Sequence, residues 1–165
     1  MATIRKATSE DRAALELCFI ELQTFERTIE PNRVEPEIVA ADYIEELLAD
    51  CVYHNGAVLI AEEDGRFAGF ACVLSQVHSS SVIEKYRDHA YVTDLYVRKS
   101  DRGRGIGEQL MRAAEDYAFA NGAERIRVGV LAANNAAHGL YRKLGFRDYE
   151  VVLEKTIPAK DQPKA

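Results

Sequence analysis

Arg102-Gly103-Arg104-Gly105-Ile106-Gly107 stands between an apolar run of strand character, Tyr91-Val92-Thr93-Asp94-Leu95-Tyr96-Val97, and an amphipathic stretch of helical spacing. Glycines at alternate positions let the backbone turn tightly and aim successive N–H groups at one point. The helix that follows adds the positive end of its dipole there, and Arg102 and Arg104 add full charges. The unit reads as a phosphate cradle. A glycine-rich turn by itself is also an ordinary turn, so the decision rests on a second segment.

That segment is Asn134-Asn135-Ala136-Ala137-His138-Gly139-Leu140-Tyr141-Arg142-Lys143-Leu144-Gly145-Phe146. Asn134, Ala137 and Tyr141 fall at i, i+3 and i+7, one stripe of a short helix that Gly145 ends. Taken together, the two segments resemble the GNAT superfamily of N-acetyltransferases. The signature of that superfamily is Arg/Gln-x-x-Gly-x-Gly/Ala, followed by Asn-x-x-Ala-x-x-x-Tyr-x-x-x-Gly-Phe. Both halves are complete here, in order, with a helix and a strand between them. The motifs support the resemblance over roughly residues 57–155, and the N-terminal third follows by pattern alone. The fold it implies is α/β: a mixed, largely antiparallel sheet, splayed at its middle to admit the cofactor, with helices on both faces.

Other phosphate ligands fit less well. A P-loop needs Lys-Ser or Lys-Thr after its glycines, and neither follows here. A dinucleotide fingerprint needs glycine at its sixth position, where Glu108 stands with a charge opposed to a second phosphate. By resemblance, the backbone amides of Arg102, Gly103, Arg104, Gly105, Ile106 and Gly107 bind the pyrophosphate of acetyl-CoA. The strand Leu95-Tyr96-Val97 pairs with the pantetheine arm through Leu95 and Val97, as an added strand would. Asn134 contacts the same arm and also suits a helix N-cap, with Ala137 on its stripe. Tyr141 stands where the family's general acid lies, near the CoA sulfur; packing on the sheet is its other reading. Transfer to an amine passes through a tetrahedral oxyanion and needs a deprotonated amine, an oxyanion donor and an acid for the thiolate. The base is open. Many relatives carry glutamate where Thr93 stands, with Asp94 beside it. Strand alternation places Thr93 and Asp94 on opposite faces. Asp94, acting through a water, is one candidate; Glu26, His78, His89 and bulk water are the others.

At 165 residues the chain suits one domain over 1–157, with 158–165 a frayed charged tail. A net charge of -6 argues against nucleic acid and anionic membranes as partners. Cys18, Cys51 and Cys72 lie in apolar stretches without metal-ligand spacing, so buried free thiols, a reducing cytoplasm and no metal are expected. No signal or membrane-spanning run is visible. Among assemblies, a homodimer is allowed.

Periodicity predicts a strand at 3–6, helices over 11–28 and 37–53 broken by Pro31 and Pro36, and an Asp64-Gly65 hairpin joining strands 57–61 and 67–74. A polar loop over 78–89, a strand to Val97, a helix over 105–121, a strand at 125–131, a helix at 134–143 and a last strand around 147–155 complete the pattern. Ile38, Ala41, Ile44 and Leu48 are the expected inner stripe of the second helix. The two N-terminal helices and the loop near 78–90 are expected to wall the acceptor pocket with an acidic lining. The function implied is acetyl-CoA-dependent transfer of acetyl to a primary amine by direct attack, with a small cationic amine as acceptor. A peptide or protein acceptor, and a non-catalytic acyl-CoA sensor, are the alternatives. Covalent relay through cysteine is not expected, because no cysteine lies in the cofactor motifs.

Overall fold

The computed structural model describes residues 2–157; the expected tail at 158–165 lies outside the described residues. Its elements are β1 (Thr3–Lys6), α1 (Arg12–Arg27), α2 (Pro36–Tyr53), β2 (Ala57–Glu63), β3 (Arg66–His78), β4 (Asp88–Val97), α3 (Ile106–Ala120), β5 (Ile126–Val128) and α4 (Asn135–Lys143). The sheet runs in the order β1-β2-β3-β4-β5. Its first four strands are antiparallel neighbours, and β5 alone pairs in parallel, with β4. No helix among the described residues is long and apolar enough to cross a membrane.

Local chemistry explains the boundaries. Asp64 and Gly65 take φ of 53° and 71°, so the β2–β3 hairpin uses two successive left-handed residues, as the right-handed twist of the strands demands. Pro36, whose fixed φ suits a first helical turn, opens α2. At the end of α4 the amide of Gly145 donates to the Arg142 carbonyl at 3.0 Å, and that of Phe146 to the Tyr141 carbonyl at 2.9 Å. Gly145 has a φ of 89°, which completes a Schellman closure. The apolar contact that accompanies such a closure is Tyr141 against Phe146, with ring centroids 5.7 Å apart. The Tyr-x-x-x-Gly-Phe spacing is therefore a device that fixes Tyr141.

Two apolar layers sandwich the sheet. On one side Leu15, Cys18, Phe19 and Leu22 of α1 and Ala40, Ile44, Leu47 and Cys51 of α2 cover Val58, Phe70, Cys72, Leu74 and Tyr96. On the other, Ile106, Leu110, Met111, Ala114 and Ala118 of α3 cover Leu59, Ala61, Ala71, Val73, Ala90 and Val92. The stripe expected on α2 is rotated: Ile38 is 71% exposed, while Ala40, Leu47 and Cys51 are buried beside Ile44. Alanine and cysteine pack where periodicity alone favours the larger Ile38. The last expected strand is absent. Residues 147–157 join no sheet, and β5, three residues long, presents no extended outer edge for them to pair with. The predicted loop over 78–89 is also shorter, because β3 runs to His78 and β4 starts at Asp88.

Two features of β4 position the site. Pairing with β5 stops at Val92↔Val128, whereas β4 continues to Val97. The sheet is splayed there, leaving one backbone edge of β4 without a neighbouring strand among the described residues. In addition, the β3–β4 register slips between Val73↔Val92 and Cys72↔Asp94, so Thr93 is an extra residue. This bulge inverts the alternation. Val92 packs under α3 before it, and Leu95 and Val97 do so after it, while Tyr96 turns toward α1 and α2.

Candidate active site

A cavity of about 390 Å³ fills the splay. Thr93, Asp94 and Leu95 of β4, Val128 of β5 with the segment 129–131 after it, Asn134, Ala137 and Tyr141 at α4, Leu22, Gln23 and Glu26 of α1, Arg33 and Tyr43 form its walls. Thr93 and Asp94 both face it, contrary to the alternation expected from sequence, because the bulge turns the chain between Val92 and Asp94. No residue of 78–90 lines it. His78 instead pairs with Asp88 on the surface, and His89 is buried elsewhere with its Nδ1 near the Arg87 carbonyl.

Burial and hydrogen bonds set the electrostatics of this cavity. The Tyr43 hydroxyl donates to both oxygens of Asp94, at 2.9 and 3.1 Å. Burial pushes the Asp94 carboxyl above its usual range, and the Tyr43 hydrogen bond offsets part of that rise. Glu26 is also raised, by burial first; Arg33, 2.8 Å away, opposes the shift, and the charge of Asp94 adds to it. Burial pushes the Tyr141 phenol up to about 12, with help from Glu26 and Asp94. Tyr141 is 8% exposed and its hydroxyl has no protein hydrogen-bond partner among the described residues. The hydroxyl of Thr93 is likewise buried without a partner. Tyr43 and Arg33 carry no sequence signal that would have singled them out. One sits on a helix, the other in a proline-marked loop, and only the tertiary fold sets them against Glu26 and Asp94.

From Leu95 the open edge of β4 leads toward the glycine loop. The Arg98 amide donates to the Ala68 carbonyl of β3 at 2.8 Å. By antiparallel alternation Tyr96 points its backbone the same way, which leaves Leu95 and Val97 directing theirs at the unpaired edge. One acceptor there is already used: Arg102 Nε donates to the Val97 carbonyl at 2.9 Å. Its guanidinium also lies 5.1 Å from the Phe25 ring and 5.4 Å from that of Tyr96. Arg104 pairs with Glu63 and, at 3.5 Å, with Asp101, so its charge is largely balanced behind the loop.

The loop itself is shaped as a receptacle. Gly103 and Gly105 have φ of 77° and 79°, and no atom lies closer than 4.0 Å to where a side chain would begin. Gly105 is the N-cap of α3 without a side-chain cap. The amides of Gly105, Ile106 and Gly107 donate to no protein acceptor among the described residues. Three free N–H groups at a helix N-terminus with open space above them suit a phosphate group. Asn134 caps α4, its Oδ1 accepting from the Ala137 amide at 3.2 Å, so its side-chain amide remains available to the cavity. Among the described residues no cluster of three or more His, Cys, Asp or Glu side chains is arranged to hold a metal ion.

Comparison with known proteins gives one consistent outcome. The model of the acetyltransferase (GNAT) family matches residues 19–146. An uncharacterized N-acetyltransferase of Bacillus subtilis is 31% identical over 145 residues, 88% of this chain and 89% of that one. Thialysine N-epsilon-acetyltransferase of Bos taurus is 27% identical, covering 88% of this chain and 84% of its own. A predicted acetyltransferase from Clostridium acetobutylicum, solved with acetyl-CoA, superposes with a TM-score of 0.73 at 21% identity, covering 94% of this chain and 96% of that chain.

Proposed function

The chain belongs to the acetyltransferase (GNAT) family and is an acetyl-CoA-dependent acyltransferase; from that premise we propose that the splayed cavity moves acetyl from acetyl-CoA to a small cationic primary amine. Bound acetyl-CoA supplies an acetyl group activated as a thioester. The chain's own residues do the rest. The free amides of Gly105, Ile106 and Gly107 hold the pyrophosphate, and the outward backbone of Leu95 and Val97 pairs with the pantetheine arm. The Asn134 side-chain amide reaches the same arm, and an N–H of the 95–97 segment faces the developing oxyanion.

Tyr141 keeps its proton throughout the neutral range, because its pKa is raised to about 12. It therefore stands as a hydrogen-bond donor to the leaving sulfur, and the high pKa favours stabilising and orienting that sulfur over complete proton transfer. Asp94 and Glu26, both raised above the usual carboxylate range by burial, serve as proton acceptors for an incoming ammonium group. The observation that carries the reading is a single continuous path: free helix-head amides, an unpaired strand edge, then a buried phenol opposite two carboxyls.

Cationic acceptors follow from the lining, where two carboxyls, Glu26 and Asp94, stand against the one guanidinium of Arg33. The Bos taurus relative is named as a thialysine N-epsilon-acetyltransferase, which supports an amine acceptor. The test is an acceptor screen read by release of free CoA in EDTA. Amines bearing a second positive charge should outperform neutral ones. Acceptor KM should rise several-fold as salt increases from about 0.1 M to about 1 M, because the screening length shortens from about 10 Å to about 3 Å. Preference for neutral or acidic acceptors would overturn the acceptor assignment and leave the family membership untouched.

A further inference from the structure

Cys51 and Cys72 lie with their sulfurs 3.5 Å apart, one on α2 and the other on β3, and the proposed chemistry uses neither. They are 21 residues apart in the chain and both are buried. The contact is fixed from two sides. Cys51 follows Tyr43 and Leu47 on one stripe of α2, and Cys72 is the register partner of Asp94 beside the Thr93 bulge. A second cavity of about 60 Å³, separate from the acyl-transfer cleft but sharing Tyr43 and Thr93 with it, reaches Cys72 past Glu46, Leu47, Asp50 and Leu74. That volume admits a molecule the size of water or hydrogen peroxide. Cys18, the third cysteine, sits on α1 with no cysteine beside it among the described residues.

We propose that Cys51 and Cys72 form a reversible oxidative modification site, closed to a disulfide by a small peroxide, which ties α2 to β3 next to the acceptor side of the cleft. One sulfur of the pair, as thiolate, attacks one peroxide oxygen. The O–O bond breaks, leaving that cysteine as a sulfenic acid and releasing hydroxide, which takes the proton of the other thiol to become water. The second sulfur then attacks the first, the S–O bond breaks, and the departing hydroxide leaves as a second water after gaining the proton first lost by the attacking thiol. Two thiols and one peroxide thus give one disulfide and two waters. The cavity brings peroxide to Cys72, and Cys51 stands 3.5 Å from it with either thiol able to donate to the other, so whichever sulfur is oxidised first has its partner within reach. Closing the sulfurs to about 2.05 Å draws α2 toward the sheet at the stripe that carries Tyr43, whose hydroxyl holds Asp94.

The test treats the full-length folded protein with hydrogen peroxide, alkylates the remaining thiols, and maps the digest by mass spectrometry. Free thiols should fall from three to one, with a Cys51–Cys72 cross-linked peptide, an intact Cys18, full return on dithiothreitol, and a higher Tm for the oxidised form. In Cys18→Ser, which leaves the pair intact, free thiols should fall from two to none. Retention of both thiols in protein shown to be folded, or irreversible oxidation of either cysteine without any cross-link, would overturn the proposal.

Discussion

Acetyl-CoA affinity falls by about a hundredfold or more in Gly105→Glu, close to 3 kcal/mol, when titrated calorimetrically in EDTA. The strain of a φ near 79°, roughly 1–2 kcal/mol for an L side chain, falls on the free and the bound protein alike; the affinity is lost because the carboxylate enters the open space above three unpaired amides. There it takes the hydrogen bonds meant for the pyrophosphate and repels that group as well. Gly122→Glu separates the two, because Gly122 has a similar φ of 86° at the far end of α3. That variant carries the same backbone strain and should keep its affinity for acetyl-CoA. Unchanged affinity in Gly105→Glu would contradict the cradle.

Turnover by Tyr141→Phe drops by about a hundredfold, with acetyl-CoA affinity changed by no more than about threefold. The hydroxyl makes no protein hydrogen bond among the described residues, so its removal leaves no buried partner stranded. The ring remains against Phe146, and the helix closure depends on backbone atoms alone. Fold and cofactor binding should therefore survive while the leaving sulfur loses its donor. The pH dependence follows in sign. A phenol held up to about 12 stays protonated through the neutral and mildly alkaline range, so wild-type turnover shows no fall from Tyr141 ionisation until pH approaches that value. A Phe variant with wild-type turnover would make Tyr141 a packing residue.

The glycine loop, the α4 stripe and the Asp64-Gly65 hairpin are legible in sequence because each is local. Their residue types answer to backbone conformations or to a 3.6-residue period within a dozen positions. What the sequence hides is set by partners far along the chain. Thr93 and Asp94 share a cavity because β4 gains a residue against β3, and no alternation rule contains that bulge. Arg104 looks like charge for a phosphate, yet Glu63, forty-one residues earlier, lies against it. Arg102 likewise bends back to the Val97 carbonyl and two aromatic rings. Free amides, rather than free guanidinium groups, are thus what the loop offers. Glu26, one of several possible bases in the sequence, acquires its place only through the packing of α1 over the splay, while Tyr43 and Arg33 become visible with it. The stretch 147–155 shows the opposite failure, strand character in sequence with no strand in the fold.

The most direct measurement is an acetyl-CoA titration followed on backbone amides by two-dimensional ¹⁵N–¹H NMR. On saturation the Gly105, Ile106 and Gly107 amides and those of Leu95 and Val97 should show the largest shifts of any residues, all with one dissociation constant that calorimetry reproduces. Saturable binding that leaves these five amides unmoved, with the largest shifts elsewhere on the chain, would contradict the assignment of the splayed β4 edge and the α3 head as the acetyl-CoA site.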